Sequence, residues 1–179
     1  MAWTAPMTAV ANSTFTAAQF NTHVRDNLNE TAPAKATAAG SYFAATGPNA
    51  IAERRANSVA DLSSGTTTSV TYTDLTGSSV GPTVTADIGP NVFVIVRCAM
   101  ENTGAGSVRM AYEVSGANSL PAADNRGIAT FGVAGINIGC SDVSLLQSLT
   151  PGSTTFTAKY RVSSGTGTFS ARRILVMPF

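Results

Sequence analysis

Asn91-Val-Phe-Val-Ile-Val-Arg-Cys-Ala-Met-Glu101 is the stretch on which the fold of this 179-residue chain turns. At a period of two, Val92, Val94, Val96, Cys98 and Met100 share one face, and Phe93, Ile95, Arg97, Ala99 and Glu101 share the other. The first face is apolar throughout, and the second is apolar at its start and charged at its end. A strand that is apolar on both faces is covered on both, at least over that length. One cover is the domain's own core. The other is either a second layer or a neighbouring subunit.

Working outward, short alternating runs punctuated by Gly, Pro, Asn and Ser fill the chain from Thr66 onward. Val70 and Tyr72 alternate with Thr, and residues 80–86 follow, with Pro82 marking an edge or bulge. Val108, Met110, Tyr112 and Val114 alternate with Arg109 and Glu113. Residues 127–133 predict one strand, and residues 136–149 two more. Phe156, Ala158, Tyr160 and Val162 alternate with Thr157, Lys159 and Arg161. In the last strand, 169–177, the inward set shifts from Phe169 and Ala171 to Ile174 and Val176, which predicts a bulge at Arg172-Arg173. About eight short strands at this spacing predict a mainly β chain with a jelly-roll-like antiparallel β-sandwich.

The first third reads differently. Residues 1–13 form an extended arm carrying Trp3, the only tryptophan. A floppy exposed Trp is unfavourable, so the arm docks on its own domain or on a partner. A short helix is predicted over 16–29. Thr16 is its N-cap, Gln19 completes a capping box, and Phe15 and Phe20 form the hydrophobic staple. Phe20, Val24 and Leu28 repeat along one side, while His23, Arg25, Asp26 and Asn27 face away. Residues 31–40 read as a linker, and 41–55 as a small hairpin around Gly47-Pro-Asn49. Neither a three-turn helix nor a lone hairpin is stable alone, so both must lean on another surface. Residues 1–55 are therefore expected to form an N-terminal anchoring region, 56–65 a linker, and 66–179 the β-sandwich head.

Composition narrows the function classes. Charged residues make up 12% of the chain, about half the usual share, and the net charge is +1. With no Lys/Arg run, a nucleic-acid-binding patch is not expected. No apolar run approaches the roughly 20 residues that span a membrane, and the N-terminus lacks the pattern of a signal peptide, which points to synthesis in the cytoplasm. Asn12-Ser-Thr14 and Asn29-Glu-Thr31 match the glycosylation pattern only by chance on that view. Cys98 and Cys140, the only cysteines, fit no metal or redox spacing. They read as buried thiols, with a disulfide as the alternative. His23 is the only histidine and lies on the polar helix face, so no Ser-His-Asp or Cys-His centre is expected. The carboxylates are scattered singly, and Asp124-Asn125 supply too few ligands for a calcium site. No catalytic, cofactor or metal site is predicted.

The opening Trp3-Thr-Ala-Pro6 followed by Thr16-Ala-Ala-Gln-Phe-Asn-Thr-His-Val-Arg-Asp-Asn-Leu28 resembles the N-terminal segment of minor structural proteins of tailed bacteriophages, especially actinobacterial phages and prophages. These are of the minor tail, minor capsid or head-fibre type. The 41–55 hairpin and the closing Thr154-Thr-Phe-Thr-Ala-Lys-Tyr-Arg-Val-Ser-Ser-Gly-Thr-Gly-Thr-Phe169 are similar to that group as well. The resemblance implies a non-enzymatic virion protein with an N-terminal anchor and a projecting β-domain, often trimeric. Its partners would be copies of itself, other virion proteins of the head or tail, and a host-surface glycan in the alternative of a tail-associated receptor- or glycan-binding module. A virion-bound hydrolase is a third option. The chain lacks the shaft repeats of longer fibres, which favours a short decoration or spike-like part. Trp3, Phe15, Phe20, Val24 and Leu28 are the expected particle-anchoring residues. Phe93 and Ile95 are the expected subunit-interface residues of a homotrimer.

Overall fold

The computed structural model describes residues 3–77, 80–131 and 135–179. It divides into two compact units, Met1–Arg55 with Phe179, and Ala56–Pro178.

In the N-terminal unit, helix α1 runs through three continuous stretches. Ala17–Phe20 and Asp26–Asn29 are α-helical, and Asn21–Arg25 between them is wound as a π-helix. The predicted capping box forms: the Gln19 amide donates to Thr16 Oγ1 (3.2 Å), and the Thr16 amide donates to Gln19 Oε1 (2.9 Å). A single turn, α2 (Ala32–Lys35), follows with a proline in its first turn, a position where a missing amide hydrogen costs nothing. Strands β1 (Tyr42–Gly47) and β2 (Ala50–Arg54) make the expected hairpin. Asn49 adopts φ 55° at its turn, a left-handed position that Asn tolerates better than most residues. Residues 31–40, read as a linker, are held in place. Glu53 on β2 accepts hydrogen bonds from the amides of Thr37 (3.0 Å) and Ala38 (3.1 Å) and from the Thr37 hydroxyl.

The C-terminal unit is a β-sandwich of two antiparallel sheets. One is ordered β3 (Asn57–Asp61), β11 (Gly167–Pro178), β6 (Val92–Asn102), β9 (Ile138–Leu146), with the short β4 (Gly65–Thr67) also pairing β11. The other is ordered β5 (Thr83–Ile88), β10 (Gly152–Val162), β7 (Ser107–Gly116), β8 (Gly127–Phe131). The pairs β3–β11, β5–β10, β6–β9 and β7–β8 are nested one inside the next, as if one long hairpin had been rolled up. This is a jelly roll. The alternation read from the sequence places the core: Val92, Val94, Val96, Met100, Phe169, Ile174 and Val176 from one sheet meet Val84, Val108, Met110, Tyr112, Phe156, Tyr160 and Val162 from the other. Each such side chain, fully buried, is worth roughly 1.5–3 kcal/mol.

Four local expectations need correction. Residues 57–61, expected within a linker, form strand β3. Their Ser, Asn and Ala content carries no strand signal, and an edge strand is held by the backbone ladder it makes with β11. Val70 and Tyr72 lie outside any strand. There the Ser69 and Thr71 side chains and backbone hydrogen-bond one another, which competes with a ladder. Within the described residues, 136–149 contain one strand rather than two. The end of the predicted strand 127–133 lies outside the described residues.

The predicted bulge forms between Ser170 and Arg173, with Ala171 at φ 49°, and the fourth correction is to the inward set around it. The extra residue turns Ala171 out of the inward set and points Arg172 into the core, fully buried. Arg172 Nη2 donates to Asp61 Oδ2 (2.5 Å) and Ser63 Oγ (3.1 Å), and Nη1 donates to Tyr160 Oη (3.3 Å). The guanidinium carbon also sits 5.6 Å from the Tyr160 ring centroid. A β-carbon at Gly81 would stand 2.6 Å from Tyr160 Oη, so only glycine lets the chain pass there.

Candidate functional site

The face of the β3-β11-β6-β9 sheet that points away from the core carries the predicted interface residues, and the pairing register extends them. Phe93 lies between Leu145 of β9 and Met177 of β11. Ile95 lies between Val143 and Leu175 in the next row. Directly opposed side chains on one face have β-carbons about 5 Å apart. Six apolar side chains therefore stand in two continuous rows across three strands. Val143 is 58% exposed, Leu145 44%, Met177 40% and Phe93 37%. In the third row, Arg97 and Arg173 face each other across β6 and β11, both exposed. Like charges directly opposite destabilise a sheet, and neither arginine has an acidic partner among the described residues.

The sequence located the β6 part of this face through its two-sided apolar pattern. It missed Val143 and Leu145, because residues 136–149 show no clean alternation. Leu175 and Met177 alternate with Ile174 and Val176, and that alternation was the signal available for them.

The outward face of the other sheet has the opposite character, because most of its charges are paired with one another. Asp124 accepts from Arg161 Nε (3.0 Å) and Nη2 (2.5 Å) and from the Tyr72 hydroxyl (2.9 Å), with Arg109 3.4 Å away. Arg161, foremost, holds the Asp124 carboxyl below its usual range. Burial first, and then Asp124, push the Tyr72 hydroxyl up to about 12. Arg161 also covers the Tyr72 ring at 5.5 Å. Lys159 bridges Asp74 (2.9 Å) and Glu113 (3.1 Å). The shallow hollow here, about 430 Å³ and bordered by Val70, Pro121 and Ala122, presents polar groups that are already paired.

In the N-terminal unit the predicted anchoring residues form an uncovered stripe. Phe15 and Phe20 meet edge-on at 6.2 Å, yet Phe20 is 49% exposed and Leu28 60%. Val24 is half-buried, and Trp3 is exposed. The opposite face of the helix is not the free polar face that the sequence suggested. Asn27, expected to point to water, is buried and clasps the arm: the Thr4 amide donates to Asn27 Oδ1 and Asn27 Nδ2 donates to the Thr4 carbonyl, both at 2.9 Å. Asn27 Nδ2 also reaches the His23 carbonyl (3.1 Å), and His23 Nδ1 lies 3.1 Å from the Ala5 carbonyl. The Trp3 amide donates to the Asn49 carbonyl (3.3 Å). The arm backbone therefore docks on the chain's own N-terminal unit through a carboxamide that mimics a peptide group, while the apolar stripe stays open.

Among the described residues, no group of three or more His, Cys, Asp or Glu side chains is placed to hold a metal ion. Among the described residues, no helix is long and apolar enough to cross a membrane.

No protein-family model and no curated protein matches the chain. Two solved structures of infectious bursal disease virus are similar to it. The structure of the Gx strain matches with a TM-score of 0.52 at 9% identity, over 74% of this chain. The VP2 subviral particle matches with a TM-score of 0.52 at 10% identity, also over 74%. The chain spans about a third of the length of those proteins, 35% and 36%. At such identity the likeness is one of fold alone.

Proposed function

We propose that this chain is a non-enzymatic structural protein of a bacteriophage virion, anchored by its N-terminal unit and displaying a jelly-roll head. The observation that carries this reading is the contrast between the two outward sheet faces. One carries ion pairs, Asp124 with Arg109 and Arg161, and Lys159 with Asp74 and Glu113. The other is a two-row apolar surface with an unmatched arginine pair at its border. A sheet face left apolar over this extent is made to be covered by protein. The jelly roll also serves in capsids. The fold likeness is to proteins of a virus and of a subviral particle, and it adds support from an independent direction.

The role as a capsid decoration, head fibre or minor tail protein rests on the phage resemblance of residues 3–28 and 154–169. The homotrimer is proposed on the same ground together with the apolar face. Phe93 and Ile95, with Val143, Leu145, Leu175 and Met177, would form the subunit contact, and Arg97 and Arg173 would meet carboxylates of the neighbouring copy. The receptor- or glycan-binding alternative is disfavoured by the Tyr72 region. Its ring is capped by Arg161 and its charges are paired, so little is left for a sugar to stack on or bond to.

The deciding experiment is particle incorporation. Phe20→Asp places a charge in the exposed stripe of the N-terminal unit, outside the core of the C-terminal unit. A soluble, folded variant should be absent from purified virions, whereas the parent chain co-purifies with them. A variant that is incorporated as well as the parent overturns the anchoring role.

A further inference from the structure

Cys98 and Cys140 lie 42 positions apart in sequence, but the ladder between β6 and β9 sets them directly opposite each other. Cross-strand partners point to the same face. Here that face is the interior, since Cys98 is fully buried and Cys140 is half-buried against the core. Opposed residues of an antiparallel pair have α-carbons about 4.5–5.5 Å apart, inside the roughly 4.4–6.8 Å range that disulfides span. In the structure both are free thiols.

We propose that Cys98 and Cys140 are an intrachain cross-linking site that closes to a disulfide when the protein meets a small-molecule disulfide such as oxidised glutathione. The site has a structural use. Among the described residues, strand β9 ends its sheet and pairs only with β6, and all of its residues are exposed or half-exposed. It also carries Val143 and Leu145 of the apolar face. A covalent tie at this register holds the strand, and with it that face, against fraying.

The chemistry balances without any group from outside the pair and the oxidant. The Cys140 thiolate, the more accessible, attacks one sulfur of the glutathione disulfide, forming a mixed disulfide and releasing one glutathione thiolate. Cys98 then loses its proton to solvent base and attacks Cys140 Sγ, releasing the second glutathione. Two protein thiols are oxidised, one glutathione disulfide is reduced to two thiols, and the two protons end on the released glutathiones. Burial first, with neighbouring Cys140 adding to it, pushes the Cys98 thiol up to about 12, so the closing step is the slow one and speeds up with pH.

The test uses the full chain, incubated with oxidised glutathione at mildly alkaline pH, then denatured, alkylated and weighed by mass spectrometry. The expected product has lost two hydrogens, takes up no alkylating agent and yields a digest peptide joining Cys98 to Cys140. Hydrogen exchange across residues 138–146 slows relative to the reduced protein. In Cys98→Ala the reaction stops at a glutathione adduct on Cys140. Two alkylatable thiols after prolonged exposure, or a glutathione adduct as the end product in the parent chain, overturns the proposal. Neither outcome depends on whether the protein belongs to a virion.

Discussion

Asp61→Ala should be among the most damaging single changes in the C-terminal unit, although Asp61 lies on an edge strand in a segment of bland composition. The reason is Arg172. Its side chain is fully buried, and the Asp61 carboxylate faces it at 2.5 Å. Ser63, Tyr160 and the Tyr160 ring supply only neutral contacts. Removing one partner of a buried pair costs about 3–5 kcal/mol, because the remaining charge is left in a poorly solvating interior. The Asp61 side chain keeps 18% of its surface exposed, so water can partly replace it, and the lower end, about 3 kcal/mol, applies. For a unit of this size that corresponds to a melting-temperature drop of roughly 10 °C. The companion change is Asp61→Ala with Arg172→Met, which removes the charge as well as its partner and fills the space with a flexible apolar chain. This double variant should recover most of the loss, since apolar replacement of a buried ion pair is often close to neutral. Thermal unfolding followed by circular dichroism and calorimetry measures both variants. If Asp61→Ala falls within about 1 kcal/mol of the parent, or if the double variant is less stable than the single one, the reasoning is refuted.

Three further outcomes are expected. Val143→Lys, at the most exposed position of the apolar face, should shift the oligomer to monomer by light scattering while leaving circular dichroism unchanged; an unaltered mass would mean that this face is not the contact. Asn27→Ala removes both hydrogen bonds to Thr4, so limited proteolysis should cut the arm between residues 3 and 13 many times faster, and equal cutting rates would show that the arm is held elsewhere. Glu53 should make the N-terminal unit sensitive to acid. Its carboxyl is held at about 2, against an ordinary 4.5, foremost by the Thr37 hydroxyl and then by Ser41 and the Thr37 and Ala38 amides. A depressed folded value means that the stabilisation is fully present above about 4.5 and fades as pH falls toward about 2. Hydrogen exchange at Thr37 and Ala38 should quicken across that window in the parent chain, and the dependence should vanish in Glu53→Gln.

The sequence alone determined the features that rest on local periodicity and side-chain chemistry. The two-sided apolar pattern of residues 92–101, the alternations at 108–114 and 156–162, and the capping box at Thr16 all follow from spacings of two or three to four residues, and the structure contains each of them. The bulge near Arg172 was also legible, as a phase slip in the last strand. Only the tertiary structure decided the rest, because the deciding partners are distant in sequence. Residues 57–61 become a strand because β11 offers its ladder, 111 positions beyond Asp61 at Arg172. Arg172 is buried rather than exposed because the bulge rotates it toward Asp61 and Tyr160. Asn27 turns inward because the arm brings two backbone groups of Thr4 to it. The nested pairing that makes the jelly roll, sets Cys98 opposite Cys140 and aligns Val143 and Leu145 beside Ile95 and Phe93 is a matter of strand register. Register is chosen by burial across the whole sandwich, where a shift of one residue would turn the core face of a strand toward water.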